Sequence, residues 1–300
     1  MKKRTLLRAG ALLLVPAAFL LAWGWGHPAK VYEGAKRARL RLAGARPAES
    51  GGLRGWMRDD CSLEGDCRCV ALVHGLGDSY VSWDALLSRR RPGTLIYAFN
   101  MPGTDGSQAP ADPSGYGIRA QARTLRGALE PLCPRWTVVG NSLGGWISGW
   151  LALDWPQGVE RLVLVGAAGV DDPSGSAESA ARVLASPDVP KVREFMDKAY
   201  CRAPKLPEHI LREIAARIAA RPTKAITDQL SKKELLEKRL KSLRVPTEIV
   251  WGECDRILPV PMGETFKRLI PGSKLTVLPA CGHIPQKECP DALQKVLFPS

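Results

Sequence analysis

Residues 139–145 read Val-Gly-Asn-Ser-Leu-Gly-Gly, and no other stretch limits the fold as strongly. The residues before it, Trp136-Thr137-Val138-Val139, suit a short buried strand. Those after it, Trp146 to Leu153, suit a helix. A G-x-S-x-G between a strand and a helix forms a sharp turn that lifts its serine clear of the sheet, hydroxyl outward. The turn is strained, so the neighbours of Ser142 must be small. Gly140 and Gly144 meet that need, and Gly145 lets the helix lie close to its surroundings. The plainer reading is a glycine-rich turn with a surface serine. The rest of the chain decides between them.

A serine needs a base, and the base needs a third group to orient it. The chain has four histidines. His27 follows an apolar N-terminal stretch, and His209 lies in a charged helical segment. His74 ends a strand in Leu72-Val73-His74-Gly75-Leu76-Gly77. His283 follows another strand, Leu275 to Leu278, near the C-terminus. Between Ser142 and His283, the run Glu248 to Trp251 reads as a strand leading into an acidic loop that holds Asp255. Alone, Asp255 could be a loop carboxylate and His283 a packed or capping histidine. Together, Ser142, Asp255 and His283 each stand just past a strand, where an open α/β sheet places its ligand crevice. They are the candidate nucleophile, orienting acid and base.

These segments resemble the α/β-hydrolase superfamily, in particular bacterial lipases and monoacylglycerol-lipase-like serine esterases. The resemblance runs from about residue 69 to the C-terminus. It is carried by Val73-His74-Gly75-Leu76-Gly77-Asp78 with Trp83, by Asn100-Met101-Pro102-Gly103, and by the Gly-Asn-Ser-Leu-Gly-Gly turn. Trp251-Gly252 through Asp255 to Pro259, and Gly282-His283 followed by Glu288-Cys289-Pro290, complete it. Asn100 departs from the aspartate more usual before Pro-Gly. The order serine, acid, histidine is that of the family's triad. The resemblance implies an oxyanion hole from the N–H groups of Leu143 and Leu76, with Gly75 and Gly77 giving their loop its unusual dihedrals. His74 is then a structural loop residue rather than a base.

The implied fold class is α/β: a mostly parallel central sheet flanked by helices, with an inserted helical cap. Strand–helix alternation with short loops agrees. Strands are expected at Cys69 to His74, Thr94 to Phe99, Trp136 to Asn141, Arg161 to Val165, Thr247 to Trp251 and Lys274 to Leu278. Helices are expected at Ser79 to Arg90, Ser114 to Leu132, Ser142 to Trp155, Pro261 to Leu269 and Pro290 to Leu297. Residues 46–68 should hold the family's first two strands, but their pattern places neither. Residues 171–244 lack strand-like runs and carry helical spacing, as in Ile210-Leu211-Arg212-Glu213-Ile214. They read as a cap dividing a core of residues 61–170 and 245–300, which writes substrate choice above the crevice.

Charge is unevenly spread over the +13 total. Residues 1–45 carry +8 and residues 178–244 carry +7, leaving the rest at −2. Such a distribution suits an anionic membrane surface or simply a solvated cap. No nucleic-acid recognition motif accompanies it. Lys2, Lys3, Arg4 and Arg8 precede the apolar Ala9 to Trp25, so residues 1–26 read as a signal peptide, with an uncleaved membrane anchor as the alternative. Residues 27–60 form a basic linker and N-terminal elements, with a helix expected from Ala29 to Ala45, near the membrane. A periplasmic or secreted location, or tethering to the inner membrane, follows. Eight cysteines fit export. The family's strand order would let Cys133 bridge to Cys67 or Cys69, and Cys254 could bridge to Cys281 between the acid and base loops. No metal or cofactor is expected, because Cys67 and Cys69 lack a partnered histidine pair.

The expected function is serine-dependent cleavage of a small-molecule or lipid ester by a monomer. One alternative is a carbon–carbon bond hydrolase of ring-cleavage products, whose turn also resembles Gly-Asn-Ser-x-Gly-Gly. Another is a non-catalytic, membrane-tethered binding protein on a hydrolase scaffold.

Overall fold

The computed structural model describes residues 28–62 and 67–299. The expected signal or anchor at residues 1–26 lies outside them. The chain opens with α1 (Pro28–Leu42), β1 (Arg46–Ser50), β2 (Leu53–Asp59) and β3 (Arg68–Val73). It continues through α2 (Asp84–Leu87), β4 (Thr94–Phe99), α3 (Ile118–Leu129), β5 (Trp136–Asn141), α4 (Leu143–Asp154) and β6 (Val159–Val165). Five helices follow: α5 (Ser176–Ala185), α6 (Val189–Ala199), α7 (Glu208–Ala219), α8 (Thr223–Gln229) and α9 (Glu237–Leu240). The end of the chain is β7 (Thr247–Gly252), α10 (Val260–Leu269), β8 (Lys274–Leu278), α11 (Pro285–Glu288) and α12 (Pro290–Leu297).

The strands form one eight-stranded sheet in the order β1-β2-β4-β3-β5-β6-β7-β8. β1 and β2 pair antiparallel, as do β2 and β4; from β4 to β8 all pairings are parallel. Six strands stand where the apolar runs put them. The central strands are buried on both faces, which is why they read as continuous apolar runs. Side chains alternate between two cores. Cys69, Ala71 and Val73 join Val138, Leu164 and Ile249 on one side, where Leu125 of α3, Ile147 of α4 and Phe266 of α10 cover them. Val70 and Leu72 join Val139, Val163 and Val250 on the other, under Leu40 of α1, Leu86 of α2 and Leu293 of α12.

Two expected helices form only in part. Ser79 to Arg90 is a 3-10 turn, Tyr80–Trp83, followed by the single α-turn of α2. Tyr80, Val81, Ser82 and Trp83 are all buried, so this stretch has no solvent face to sustain a surface helix. Ser114 to Leu132 begins with a 3-10 turn capped by Asp112 and is interrupted by extended Gly117 before α3 starts.

Residues 171–244 hold α5 to α9 and no strand. Leu184, Val192, Leu211, Ala215 and Ile218 form a small core of their own, which reaches down to Leu76. The helix expected near residue 29 is present as α1, but it packs on the body of the protein. Lys36 pairs with Asp84 at 2.6 Å, Arg37 donates to the Tyr80 hydroxyl at 3.1 Å, and Glu33 pairs with Arg217 of α7. Among the described residues no helix is long and apolar enough to cross a membrane.

Four disulfides use all eight cysteines: Cys61–Cys67, Cys69–Cys133, Cys201–Cys254 and Cys281–Cys289. The Cys69–Cys133 bond is one of the two pairings open to Cys133. The expected Cys254–Cys281 bond is corrected. The two loops do adjoin, since Cys254 N–H donates to the Cys281 carbonyl at 2.8 Å, but each sulfur is bonded elsewhere. Four disulfides fit a protein exported to an oxidising compartment.

Candidate active site

Ser142 has φ +56° and ψ −122°, a conformation that L-residues avoid. β5 runs straight into this residue and α4 leaves from it, so the side chain stands at the C-terminal edge of the sheet. Close packing holds the turn. A Cβ on Gly144 would lie 2.4 Å from the Val73 carbonyl oxygen and 2.6 Å from that of His74. The Ser142 carbonyl accepts from the N–H groups of Gly145 and Ala168, and the Ser142 N–H donates to Val165 at 3.1 Å.

Asp255 and His283 meet beside it. The Nδ1 of His283 lies 2.8 Å from Asp255 Oδ2, with both side chains almost wholly buried. The other oxygen, Oδ1, accepts from the N–H groups of Ile257 at 2.9 Å and Leu258 at 2.8 Å. One carboxylate oxygen therefore fixes the loop and the other faces the base. Nδ1–H donation to the carboxylate leaves Nε2 of His283 as a proton acceptor.

Several residues whose roles the sequence did not reveal hold His283 in place. Asn141 Nδ2 donates to the carbonyls of both Val165 and His283 at 3.0 Å, and Gln286 Nε2 donates to Asn141 Oδ1 at 3.0 Å. The residue before the candidate nucleophile thus ties the turn to the base loop. His283 N–H donates to Ala199 at the end of α6, at 2.7 Å. Glu288 accepts from Gly282 N–H at 2.6 Å with one oxygen, and from the N–H groups of Cys201 and Arg202 with the other. The base loop is consequently fastened to the segment that leaves α6.

The loop after β3 passes over Ser142. A Cβ on Gly75 would approach the Cβ of Ser142 to 3.0 Å, so closeness, not dihedral freedom, requires glycine there. Gly77 does adopt positive φ, +71°. The N–H groups of Leu76 and Leu143 donate to no backbone carbonyl among the described residues. His74 is buried; its Nδ1 lies 2.8 Å from the Gly75 carbonyl, and its Nε2 accepts from Met101 N–H at 3.0 Å. Both ring nitrogens are engaged, and burial pushes the His74 pKa down, so it is a neutral loop brace.

Ser142, His283, Leu76 and Leu143 all line one cavity of about 1140 Å³. Its upper walls are largely apolar, with Leu184, Phe195, Met196, Ile214 and Ile218 contributed by α5 to α7. Tyr32 of α1 also lines it, as do Asp78 and Lys287. Among the described residues, no group of three or more His, Cys, Asp or Glu is arranged to hold a metal ion.

A strained serine at the head of a helix, on an eight-stranded mostly parallel sheet, with an acid–histidine pair from the loops after β7 and β8, defines a hydrolase architecture. The alpha/beta hydrolase family model matches residues 70–295, and the chain belongs to that family. It is 30% identical over 237 residues to 2-hydroxy-6-oxo-2,4-heptadienoate hydrolase of Pseudomonas putida, covering 73% of this chain and 83% of that one. Its structure is similar to that of a membrane phospholipase A described as a bacterial virulence factor, with TM-score 0.76, 26% identity, and coverage of 98% and 97% of the two chains. It also shares its fold with a meta-cleavage product hydrolase from Pseudomonas fluorescens IP01, with TM-score 0.70, 20% identity, and coverage of 85% and 97%.

Proposed function

We propose that this protein is an exported serine hydrolase that cleaves carboxylic esters with an apolar acyl chain. The observation that carries the reading is the His283–Asp255 pair, 2.8 Å apart, whose histidine lines a largely apolar cavity together with the strained Ser142. Ser142 Oγ attacks the ester carbonyl and passes its proton to His283 Nε2. The N–H groups of Leu76 and Leu143 hold the oxyanion that forms. The imidazolium then protonates the leaving alcohol, and Asp255 steadies its charge and tautomer throughout. Water, activated by the same imidazole, releases the acid and restores the serine. The likeness to a phospholipase supports a lipid ester as substrate. A periplasmic or secreted monomer, with the basic α1 side near an anionic membrane surface, completes the reading; export puts residues 1–26 to use.

A second reading is favoured by the 30% identity to the Pseudomonas putida enzyme: hydrolysis of a carbon–carbon bond in a ring-cleavage product. Four disulfides weigh against it, because that chemistry belongs to a reducing cytoplasm. A purely binding role leaves the acid–histidine pair without a use. p-Nitrophenyl esters of graded chain length, assayed in detergent beside a 2-hydroxy-6-oxo-dienoate, separate the three. Ester turnover that Ser142→Ala reduces by about a thousandfold or more is expected. Turnover of the dienoate alone, or retention of more than about a tenth of ester turnover by the mutant, overturns the proposal.

A further inference from the structure

Part of the cavity lining has a chemistry that the acyl chain does not use. There the ammonium of Lys287 lies 3.6 Å from Asp78 Oδ1, outside hydrogen-bond length. Both residues line the cavity, and their side chains remain 33% and 20% exposed. Lys287 is exposed and Asp78 half-buried, on the lining of the cavity. Burial opposes charge on Lys287, but Asp78, Tyr200 and Tyr32 outweigh it and raise its pKa. Burial likewise opposes charge on Asp78, but the charges of Lys287 and Arg221 and a backbone hydrogen bond from Ser79 outweigh it and hold the carboxyl below its usual range. Both groups are charged at neutral pH.

The neighbouring cations are committed elsewhere. Arg221 grips both oxygens of Asp105, at 3.1 and 2.7 Å, and donates to the Gly77 carbonyl. Arg217 pairs with Glu33 of α1 and lies 3.6 Å from Asp105. Lys287 has three donors and, among the described residues, a single ion-pair partner. Its place in the chain matters too. α11 starts two residues after His283, and Asp78 stands two residues after Leu76. The pair therefore faces the cavity between the segment of the base and the loop of the oxyanion donors. The histidine that protonates the leaving alcohol in the proposed mechanism lies on the segment that runs into α11.

We propose that Lys287, set against Asp78, is a subsite for an anionic group, phosphate or carboxylate, on the alcohol portion of the ester. The proposal rests on the ester-hydrolase reading and names its substrate class: an amphiphile with an apolar acyl chain and an anionic head. When the subsite is empty, Asp78 balances the ammonium, so an apolar chain can enter without passing an unpaired charge. When an anion arrives, Lys287 gives it a charge-assisted hydrogen bond, while Asp78 opposes it.

The two residues therefore have opposite effects on selectivity, which a merely structural ion pair would not. The test uses decanoyl esters of butanediol, of 4-hydroxybutanoate and of 4-hydroxybutyl phosphate, which differ only in the head. The readout is kcat/KM for each anionic ester divided by that for the neutral one, beside turnover of p-nitrophenyl decanoate. Lys287→Gln should lower this ratio about tenfold, the effect of one charge-assisted hydrogen bond. Lys287→Arg should keep most of it, and Asp78→Asn should raise it. The larger ratio in wild type, phosphate or carboxylate, identifies the head. Unchanged ratios in Lys287→Gln, or ratios that fall in both Lys287→Gln and Asp78→Asn, overturn the subsite while p-nitrophenyl decanoate is still cleaved. Loss of all ester turnover in wild type, p-nitrophenyl decanoate included, overturns the ester reading itself and the subsite with it.

Discussion

The N–H of Cys254 donates to the carbonyl of Cys281 at 2.8 Å, yet the two sulfurs bond to different partners. Cys254 reaches Cys201 at the exit of α6, and Cys281 reaches Cys289 at the head of α12. The acid loop is therefore clamped to the cap side and the base loop to the C-terminal helix. A backbone hydrogen bond joins the two loops directly.

These bonds should differ in what they contribute. Cys201–Cys254 closes 53 residues and Cys69–Cys133 closes 64, against 6 for Cys61–Cys67. Loop-closure entropy predicts that replacing either long-range pair by serine costs about 4 kcal/mol, and the short pair about 2 kcal/mol. Replacing Cys201 and Cys254 should also lower ester turnover, because Cys254 adjoins Asp255, whereas replacing Cys61 and Cys67 should leave turnover alone. Denaturant melts of the double-serine variants, paired with p-nitrophenyl ester assays, check both statements. Equal costs for the short and long pairs would contradict the ranking.

Ser142 is expected to trade stability for position. At φ +56° and ψ −122°, its backbone sits where only glycine is at ease. Ser142→Gly should be more stable than Ser142→Ala by about 1 kcal/mol, the relieved strain less the entropy of glycine. Both variants should be inactive. Urea midpoints measured side by side decide it, and an alanine variant at least as stable as the glycine variant would remove the strain argument.

Acid should expose the Arg58–Asp60 pair. Asp60 Oδ2 lies 2.5 Å from Arg58 Nε and accepts from Arg91 N–H at 2.7 Å. Burial opposes ionisation of Asp60, but these hydrogen bonds and the nearby Arg58 and Arg90 charges outweigh it and lower its pKa. A carboxyl with a depressed folded pKa stabilises above its unfolded value, near 3.9, and loses that contribution as pH falls through the folded value. Asp60→Asn leaves Arg58 buried without its charge partner and should cost about 3 kcal/mol at neutral pH. The gap to wild type should narrow once pH falls below about 4. Melting curves of both proteins from neutral pH to pH 3 test it, and a gap that stays constant would refute the linkage.

The parts legible in the sequence are those written in local pattern. β3 to β7 are apolar runs because both their faces are buried, β8 is a half-exposed edge strand that still reads as Leu275-Thr276-Val277-Leu278, and the cap helices show their packed stripes. The Ser142 turn and the Asp255–His283 pairing follow from strand ends and chain order. β1 did not show itself, because Arg46-Pro47-Ala48-Glu49-Ser50 is an edge strand, mostly exposed and polar. The same limit hid the partners of Cys254: adjoining loops do not say which way a sulfur points. Glu288 accepts three backbone N–H groups, and Tyr32 reaches the cavity from a helix before the sheet begins. Such roles come from tertiary approach and leave no periodic trace.

The central claim is that Ser142 is the nucleophile served by His283. A fluorophosphonate, which phosphonylates an activated serine with loss of fluoride, tests this most directly when the labelled protein is digested and mapped by mass spectrometry. The account predicts one adduct per chain, on Ser142, absent from Ser142→Ala and formed far more slowly in His283→Ala. An adduct on another residue, or ester turnover that continues while Ser142 stays unlabelled, would contradict it.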